Sequence, residues 1–157
     1  MTAQTEKKPA YLIGLISDTH GHLRSEAAEA LKDVDLIIHA GDIGKPEVLA
    51  ELGKIAPVRA VRGNMDGHWA FELPQTEVVE VGDFLLYVLH DVFRLDLDPV
   101  AAGFSAVISG HTHSATIENR KGVLYLNPGS AASFKSPATV ALLRIRDNSL
   151  QAEVVEI

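Results

Sequence analysis

The chain has no cysteine, which removes disulfides and thiolate metal ligands from consideration. Long apolar runs are missing too. The stretches that come nearest, such as Phe84 to Leu89, fall far short of the roughly twenty residues of a membrane span. The segment from Met1 to Pro9 is polar and lacks the apolar centre of a secretory signal. Basic residues are scarce: 14 Lys and Arg stand against 21 Asp and Glu, a formal net charge of −7. No Lys/Arg stripe is present to replace the counterions of a nucleic acid, so no stable nucleic-acid complex is expected. A phosphate substrate stays open, because bound divalent cations would reverse the local sign. No internal repeat, low-complexity tract or linker breaks the chain. The expectation is a soluble, cytoplasmic protein with no membrane contact.

Apolar residues make up 46% of the 157 positions, enough for one domain with a sizeable core. Residues 1–10 read as a flexible polar lead-in and 11–157 as a single domain. The apolar stretch 11–16 reads as a strand covered on both faces. A helix over 26–32 follows, with Ser25 as its N-cap and acidic residues in its first turn. Residues 35–39 form a second strand. Pro46 opens a second helix at its first position, Gly53 closes it, and 58–61 is a third strand. This β-α-β-α-β order predicts a parallel sheet with right-handed crossovers. The second half is mostly strands. Residues 76–81 and 84–89 flank Gly82-Asp83, a tight hairpin signal. Asp98-Pro99 caps a short helix that Gly103 stops, and 105–109 is another strand. Two further pairs, 115–119 with 123–126 and 138–146 with 150–155, flank Lys121-Gly122 and Asp147-Asn148-Ser149. So many strands in so short a chain predict an α/β fold of two packed sheets with helices outside.

Four apolar runs end in side chains suited to metals: Asp18-Thr19-His20, Gly41-Asp42, Gly63-Asn64 and Gly110-His111-Thr112-His113. A fifth, 84–89, ends at His90. In an open α/β sheet, ligands collect where strands end, so Asp18, Asp42, Asn64, His90 and His111 are expected to converge although far apart in sequence. Gly21, Gly41, Gly63 and Gly110 allow tight turns and close backbone approach there. Oxygen donors mixed with imidazole suit manganese, iron, nickel or zinc in a hydrolytic site. Two metals about 3.5–4 Å apart need a bridging anion, and Asp42, alone in its loop, is the candidate bridge. Asp18 and His20, two apart, can reach one ion; His111 and His113 can serve one each. Asn64 offers a neutral amide oxygen, and His90 completes the second ion. Each piece alone is an ordinary turn; the joint order is not. His39 is expected to support the site through a hydrogen bond rather than to ligate. His22 reads as a loop residue facing cleft or solvent, His68 and Trp69 as surface or packing residues, and Lys135 and Arg62 as solvated.

The order Asp-x-His, Gly-Asp, Gly-Asn, His, Gly-His-x-His resembles the calcineurin-like metallophosphoesterase superfamily. The chain length and Asn127-Pro128-Gly129-Ser130 resemble its small bacterial and archaeal phosphodiesterase branch. The resemblance covers residues 12 to 130. It implies a four-layer αββα sandwich of two mixed sheets flanked by helices. It implies one metal held by Asp18, His20, Asp42 and His113 and a second by Asp42, Asn64, His90 and His111. The implied activity is a phosphodiesterase acting on a small phosphate ester, with in-line attack by a hydroxide bridging two divalent ions and no covalent intermediate. Manganese leads, with nickel, iron and zinc open. Two positions depart from the pattern. Met65 stands where many members carry a histidine that helps protonate the leaving group, which favours substrates with good leaving groups. Asp91 stands where many carry glycine, adding an anion beside His90. The same fold also serves as a non-catalytic protein-binding scaffold, as in a retromer subunit with a degraded metal site; here every ligand position is filled, which argues for chemistry. Metallohydrolases whose first strand ends in His-x-His, as His20 and His22 would allow, usually need a β/α barrel of about 250 residues. Exposed strands in the later hairpins could pair across a dimer, so a homo-oligomer is also an expectation.

Overall fold

The computed structural model describes residues 8–132 and 137–157. Lys135 and the first seven residues of the expected lead-in lie outside the described residues. In chain order the elements are β1 (Ala10–Ile16), α1 (Ser25–Ala30), β2 (Leu36–His39), α2 (Pro46–Gly53), β3 (Val58–Ala60), β4 (Thr76–Val81) and β5 (Phe84–Leu89). After these come α3 (Pro99–Ala102), β6 (Ala106–Ile108), β7 (Thr116–Arg120), β8 (Val123–Asn127), β9 (Thr139–Arg146) and β10 (Ser149–Glu156). They build two mixed five-stranded sheets, ordered β10-β9-β1-β2-β3 and β4-β5-β6-β8-β7. β1, β2 and β3 run parallel in the first, with β9 antiparallel to β1. β5, β6 and β8 run parallel in the second.

Adjacent residues of a strand face opposite sides of its sheet, and that explains the unbroken apolar runs. Leu15 and Ile38 pack into the core between the sheets, against Leu86, Val88, Ile108 and Leu126 of the other sheet. Their neighbours Ile16 and Ile37 pack on the outer face, with Ala27 and Leu31 beside α1 and with Val48 and Leu52 of α2. In the second sheet Val88 faces inward while Tyr87 and Leu89 join Val107, Val123, Leu95 and Phe104 on the other face. Each such side chain, fully buried, contributes roughly 1.5–3 kcal/mol. Gly14 keeps β1 thin where the end of α1 crosses it: a Cβ there would stand 2.7 Å from Leu31 Cδ2.

The sequence expectations differ from the fold in small ways. Ser25 is not the N-cap of α1. Arg24, in extended conformation, holds that position without a side-chain cap, and the Ser25 hydroxyl reaches Glu26 at 3.4 Å instead. β1 already starts at Ala10, one residue before the strand read from sequence, and Lys8 Nζ lies 2.6 Å from Asp35 Oδ1. The β7–β8 turn uses Lys121 at φ 54° and Gly122 at φ 86°, the left-handed pair that a two-residue hairpin demands. Asp98 and Gly103 bracket α3 as expected, with Asp98 accepting the Val100 N–H and Gly103 at φ 84°. No helix among the described residues is long and apolar enough to cross a membrane.

Candidate metal centre

The loops that leave β1, β2, β3, β5 and β6 meet at one edge of the two sheets. Beyond the strands the pairing continues: Asp18 N–H donates to Gly41 O (3.0 Å), His20 N–H to Asp42 O (3.1 Å) and Gly21 N–H to Ile43 O (2.7 Å). Gly110 N–H donates to His90 O (2.9 Å), tying the β5 and β6 loops together. The result is two overlapping groups of donor atoms, each within 4.8 Å of one another: Asp18, His20 and His113, and Asp18, Asp42 and His90. Asp18, fully buried, belongs to both. Asp42, the bridge expected from sequence, belongs to one.

Two buried atoms in this cluster have no hydrogen-bond partner, Asp18 Oδ1 and His90 Nε2. The other oxygen of Asp18 accepts from the Ser17 hydroxyl (2.7 Å) and from His111 N–H (3.2 Å). Oδ1 instead faces His113 Nε2 at 3.4 Å and His20 Nε2 at 3.9 Å. His90 Nδ1 lies 2.7 Å from Ala40 O. A carbonyl only accepts, so Nδ1 carries a proton, and Nε2 lies 3.2 Å from Asp42 Oδ2. Buried polar atoms in proteins are nearly always satisfied. A divalent cation satisfies an unpaired carboxylate oxygen and an unpaired imidazole nitrogen together, and the backbone bond behind His90 is the usual support for a histidine ligand. The donor set therefore fits a metal ion.

The electrostatics agree. Burial pushes the Asp18 carboxyl above its ordinary value, and the Ser17 hydroxyl and the His90 and His113 imidazoles only partly offset this. Burial acts the same way on Asp42, but the His90 contact and the Met65 N–H outweigh it and hold Asp42 below the usual range. Burial opposes charge on His90, yet Asp42 and the Ala40 carbonyl overcome it and raise the ring. Carboxylates this deep call for positive charge beside them.

Around the donors stands a frame of hydrogen bonds. His39 is fully buried, as a support rather than a ligand. Its Nδ1 accepts the Gly41 N–H (3.1 Å), so its Nε2–H donates to the Thr19 hydroxyl (3.0 Å), which donates in turn to Ile43 O (2.8 Å). Both ring nitrogens are engaged, and burial pushes the ring down to about 3, so it stays neutral. Asp66, unassigned from sequence, accepts three backbone N–H groups: Gly63 (2.9 Å), Ile43 (3.2 Å) and Gly44 (2.9 Å). It clamps the loop of Asp42 to the loop of Asn64. Asn127 donates to Gly110 O (2.9 Å) and to the Thr112 hydroxyl (3.0 Å), fixing the loop of His111 and His113. The Ser130 hydroxyl donates to Asp18 O (3.2 Å). The Asn127-to-Ser130 stretch is thus the floor of the site. The only sequence signal for these roles was the polar residue in a loop beside a ligand, which many idle residues share.

The remaining expected residues sit further out. Asn64 is exposed, in the loop that Asp66 clamps. His111 belongs to neither donor group; its ring lies 5.1 Å from that of His90, and its Nε2 is 3.8 Å from Asp91 Oδ2. His68 leans on Phe71 with ring centroids 4.6 Å apart, and Trp69 packs at the edge of the helix-side core. Arg62 is not simply solvated: its guanidinium lies 5.6 Å from the Phe71 ring centre and donates to Phe71 O (3.3 Å). The grooves lined by Lys8, Tyr11 and Gly82 lie at the opposite end of β1 and hold none of these residues.

Residues 11–148 match the family described as the calcineurin-like phosphoesterase superfamily domain. A protein of Methanothermobacter thermautotrophicus described as a probable metallophosphoesterase is 36% identical over 157 aligned residues, covering 92% of this chain and 91% of that one. The solved structure of an archaeal phosphodiesterase superposes with a TM-score of 0.76 at 28% identity, over 92% of this chain and 99% of that one. Vacuolar protein sorting 29 of Cryptosporidium parvum superposes equally well, with a TM-score of 0.76 over 96% of this chain and 99% of that one; at 22% identity this is a likeness of fold alone. Ordered motif, buried donor cluster and relatives agree: the chain belongs to the calcineurin-like phosphoesterase superfamily, in its small archaeal and bacterial metallophosphoesterase branch, and is a hydrolase.

Proposed function

We propose that the protein is a dinuclear phosphodiesterase acting on a small phosphate ester. Asp18, His20, Asp42 and His113 would hold one ion, and Asp42, Asn64, His90 and His111 the other, with Asp42 bridging. Manganese is the leading metal; nickel, iron and zinc suit the same donors. The observation that carries this reading is the pair of buried, unpartnered donor atoms, Asp18 Oδ1 and His90 Nε2. When bound, the cations supply charge neutralisation at the phosphoryl oxygens and hydroxide near neutral pH for in-line attack on phosphorus.

The chain's own residues set the geometry. Met65 N–H holds Asp42 Oδ1 (2.9 Å), which leaves Oδ2 facing His90. Ser17 holds one oxygen of Asp18 and turns the other toward His20 and His113. Met65 itself transfers no proton, so the leaving alcohol departs unassisted from that position, and good leaving groups are favoured. The same family reading extends to the layering. α1 and α2 cover one sheet and residues 92–104 cover the other, which supports an αββα sandwich built by 11–157 as one cytoplasmic domain.

The test is metal analysis of purified protein beside turnover of bis(p-nitrophenyl) phosphate with added manganese. Asp42→Ala should abolish turnover. Near-normal rates in that variant would overturn the assignment of Asp42, and a folded, metal-loaded protein without turnover would favour the protein-binding scaffold.

A further inference from the structure

We infer that Asp91 is a positioning residue that holds His111 as a ligand of the second ion, an inference that rests on the dinuclear reading. The buried donors of the site are each fastened by a second bond. Ser17 holds Asp18 Oδ2, Met65 N–H holds Asp42 Oδ1, and Ala40 O accepts from His90 Nδ1. The backbone of His111 is fastened too, its N–H donating to Asp18 Oδ2 (3.2 Å). Its ring stands 5.1 Å from that of His90 at an angle of 78° and belongs to neither donor group. Among the described residues one carboxylate meets that ring: Asp91 Oδ2 lies 3.8 Å from Nε2.

The two oxygens of Asp91 have separate tasks. Oδ1 accepts the Phe93 N–H (3.0 Å) and caps the short turn Val92–Arg94, which fixes the side chain and leaves Oδ2 for His111. The loops that carry the pair are themselves tied, since Gly110 N–H donates to His90 O (2.9 Å). Asp91 follows His90 directly and His111 follows Gly110, so that bond keeps carboxylate and ring in register. A carboxylate only accepts, and it therefore selects the neutral imidazole with its proton on Nε2. Nδ1 then keeps its lone pair, and it is the ring nitrogen nearer the backbone that is bonded to Asp18. A carboxylate behind a histidine ligand sets the tautomer and the ring orientation, and its loss typically costs 10–100-fold in metal affinity. The 3.8 Å gap exceeds a hydrogen bond and closes when His111 takes up its ion.

The test is Asp91→Asn in the full chain. The amide oxygen keeps the Phe93 N–H, so the turn stays capped. The amide nitrogen, a donor, then faces Nε2 and selects the opposite tautomer, with the proton on Nδ1. Asp91→Ala loses cap and carboxylate together. Proteins with isotope-labelled histidine are read by long-range proton–nitrogen correlation NMR in mildly alkaline buffer, with chelator and then with diamagnetic zinc. Wild type should show His111 protonated at Nε2 in chelator and carrying zinc on Nδ1 when loaded. Asp91→Asn should show the Nδ1 proton in chelator and melt with wild type there. In manganese calorimetry both variants should hold one of two ions about 10–100-fold less tightly and the other as before. An Nδ1 proton on His111 in chelated wild type would overturn the inference. So would zinc on Nε2, which would make Asp91 a neighbour of the ion rather than a support behind its ligand. Unchanged affinity in Asp91→Asn, or equal loss at both ions, would overturn it too. Wild type that binds two ions but turns over no ester would sink the phosphodiesterase reading and keep the role of Asp91. Wild type that binds a single ion would sink the dinuclear reading, and the tautomer in chelator would then decide alone whether Asp91 holds His111.

Discussion

Asp18→Asn should make the chelated protein more stable and the metal-loaded protein less so. Asp18 is fully buried, and one of its oxygens accepts no hydrogen bond. Its carboxyl sits above its ordinary value because burial outweighs the Ser17 bond and the nearby imidazoles. A group whose folded value is raised stabilises the fold below the ordinary carboxylate range. That contribution is lost as pH rises through the folded value. At neutral pH the ionised carboxylate is therefore a net burden in the presence of chelator. An asparagine keeps the acceptor that Ser17 and His111 N–H require and removes the charge. Relief of one buried, incompletely satisfied group is worth about 1–3 kcal/mol, and each kcal/mol shifts the melting temperature of a domain this size by roughly 2–4 °C. The chelated variant should thus melt about 2–12 °C above wild type at neutral pH. Manganese in thousandfold excess over its Kd adds roughly 4 kcal/mol to a protein that binds it, so the order should reverse when metal is supplied.

The assay is thermal unfolding followed by circular dichroism, run for both proteins with chelator and with manganese. Crossing melting curves are the expected outcome. Asp18→Asn melting below wild type in chelator would show that the carboxylate stabilises the fold on its own account. An equal manganese shift in both proteins would show that Asp18 holds no ion. Either result refutes the reasoning from the unpaired oxygen.

Three further outcomes follow from the frame around the donors. His39, held neutral by burial at about 3 against an ordinary 6.5, contributes stability present above pH 6.5 and lost as pH falls toward 3. Between pH 6.5 and 4.5, His39→Gln should lose roughly 2–3 kcal/mol less than wild type in chelator, measured by urea unfolding; parallel pH profiles would contradict the neutral ring. Asp66→Ala frees three backbone N–H groups, and at partial exposure this should cost about 2–3 kcal/mol. Manganese affinity should fall tenfold or more in calorimetry, and wild-type affinity would remove Asp66 from the support of the site. Gly110→Ala would place a Cβ 1.9 Å from Ser17 Oγ and 2.9 Å from Asp18 Oδ2. It should weaken metal binding, and adding Ser17→Ala should give a non-additive result in a double-mutant cycle; strict additivity would mean that the two sites do not touch.

The candidate ligands were legible because each one ends a strand, and strand ends can be read from apolar runs: 11–16 stops at Ser17-Asp18, and 84–89 stops at His90. Their supports were not legible. Asp66 acts on Ile43 and Gly44, more than twenty positions back, and nothing local marks an aspartate that accepts distant backbone donors. Asn127 acts on Gly110 and Thr112 across the β6–β8 edge for the same reason. The glycines divide between the two roles read for them. Gly41 does use its freedom, at φ 103°. Gly63 and Gly110 serve the close approach, since a Cβ would lie 2.2 Å from Asp42 Oδ1 at the first and 1.9 Å from Ser17 Oγ at the second.

The unusual conformation lies in the candidate ligands themselves. Asp18, His20, Asp42, His111 and His113 all have φ between 50° and 72°, a left-handed state that costs a side-chain-bearing residue roughly 1–2 kcal/mol. Among the described residues the other two non-glycine cases, Lys121 and Asp147, are hairpin turns, where that state is what the turn requires. At these five positions a glycine would remove the strain and remove the imidazole or carboxylate with it. Strained residues persist where the surroundings over-determine them, and here the surroundings are the Asp66 clamp, the His39–Thr19 link and the Asn127 floor. A chain that needed only to fold would keep none of this. The strained positions and the frame are therefore one device: it holds Asp18, His20, Asp42 and His113 against their preferred backbone, and the donor atoms of Asp18, His20 and His113 meet, as do those of Asp18, Asp42 and His90.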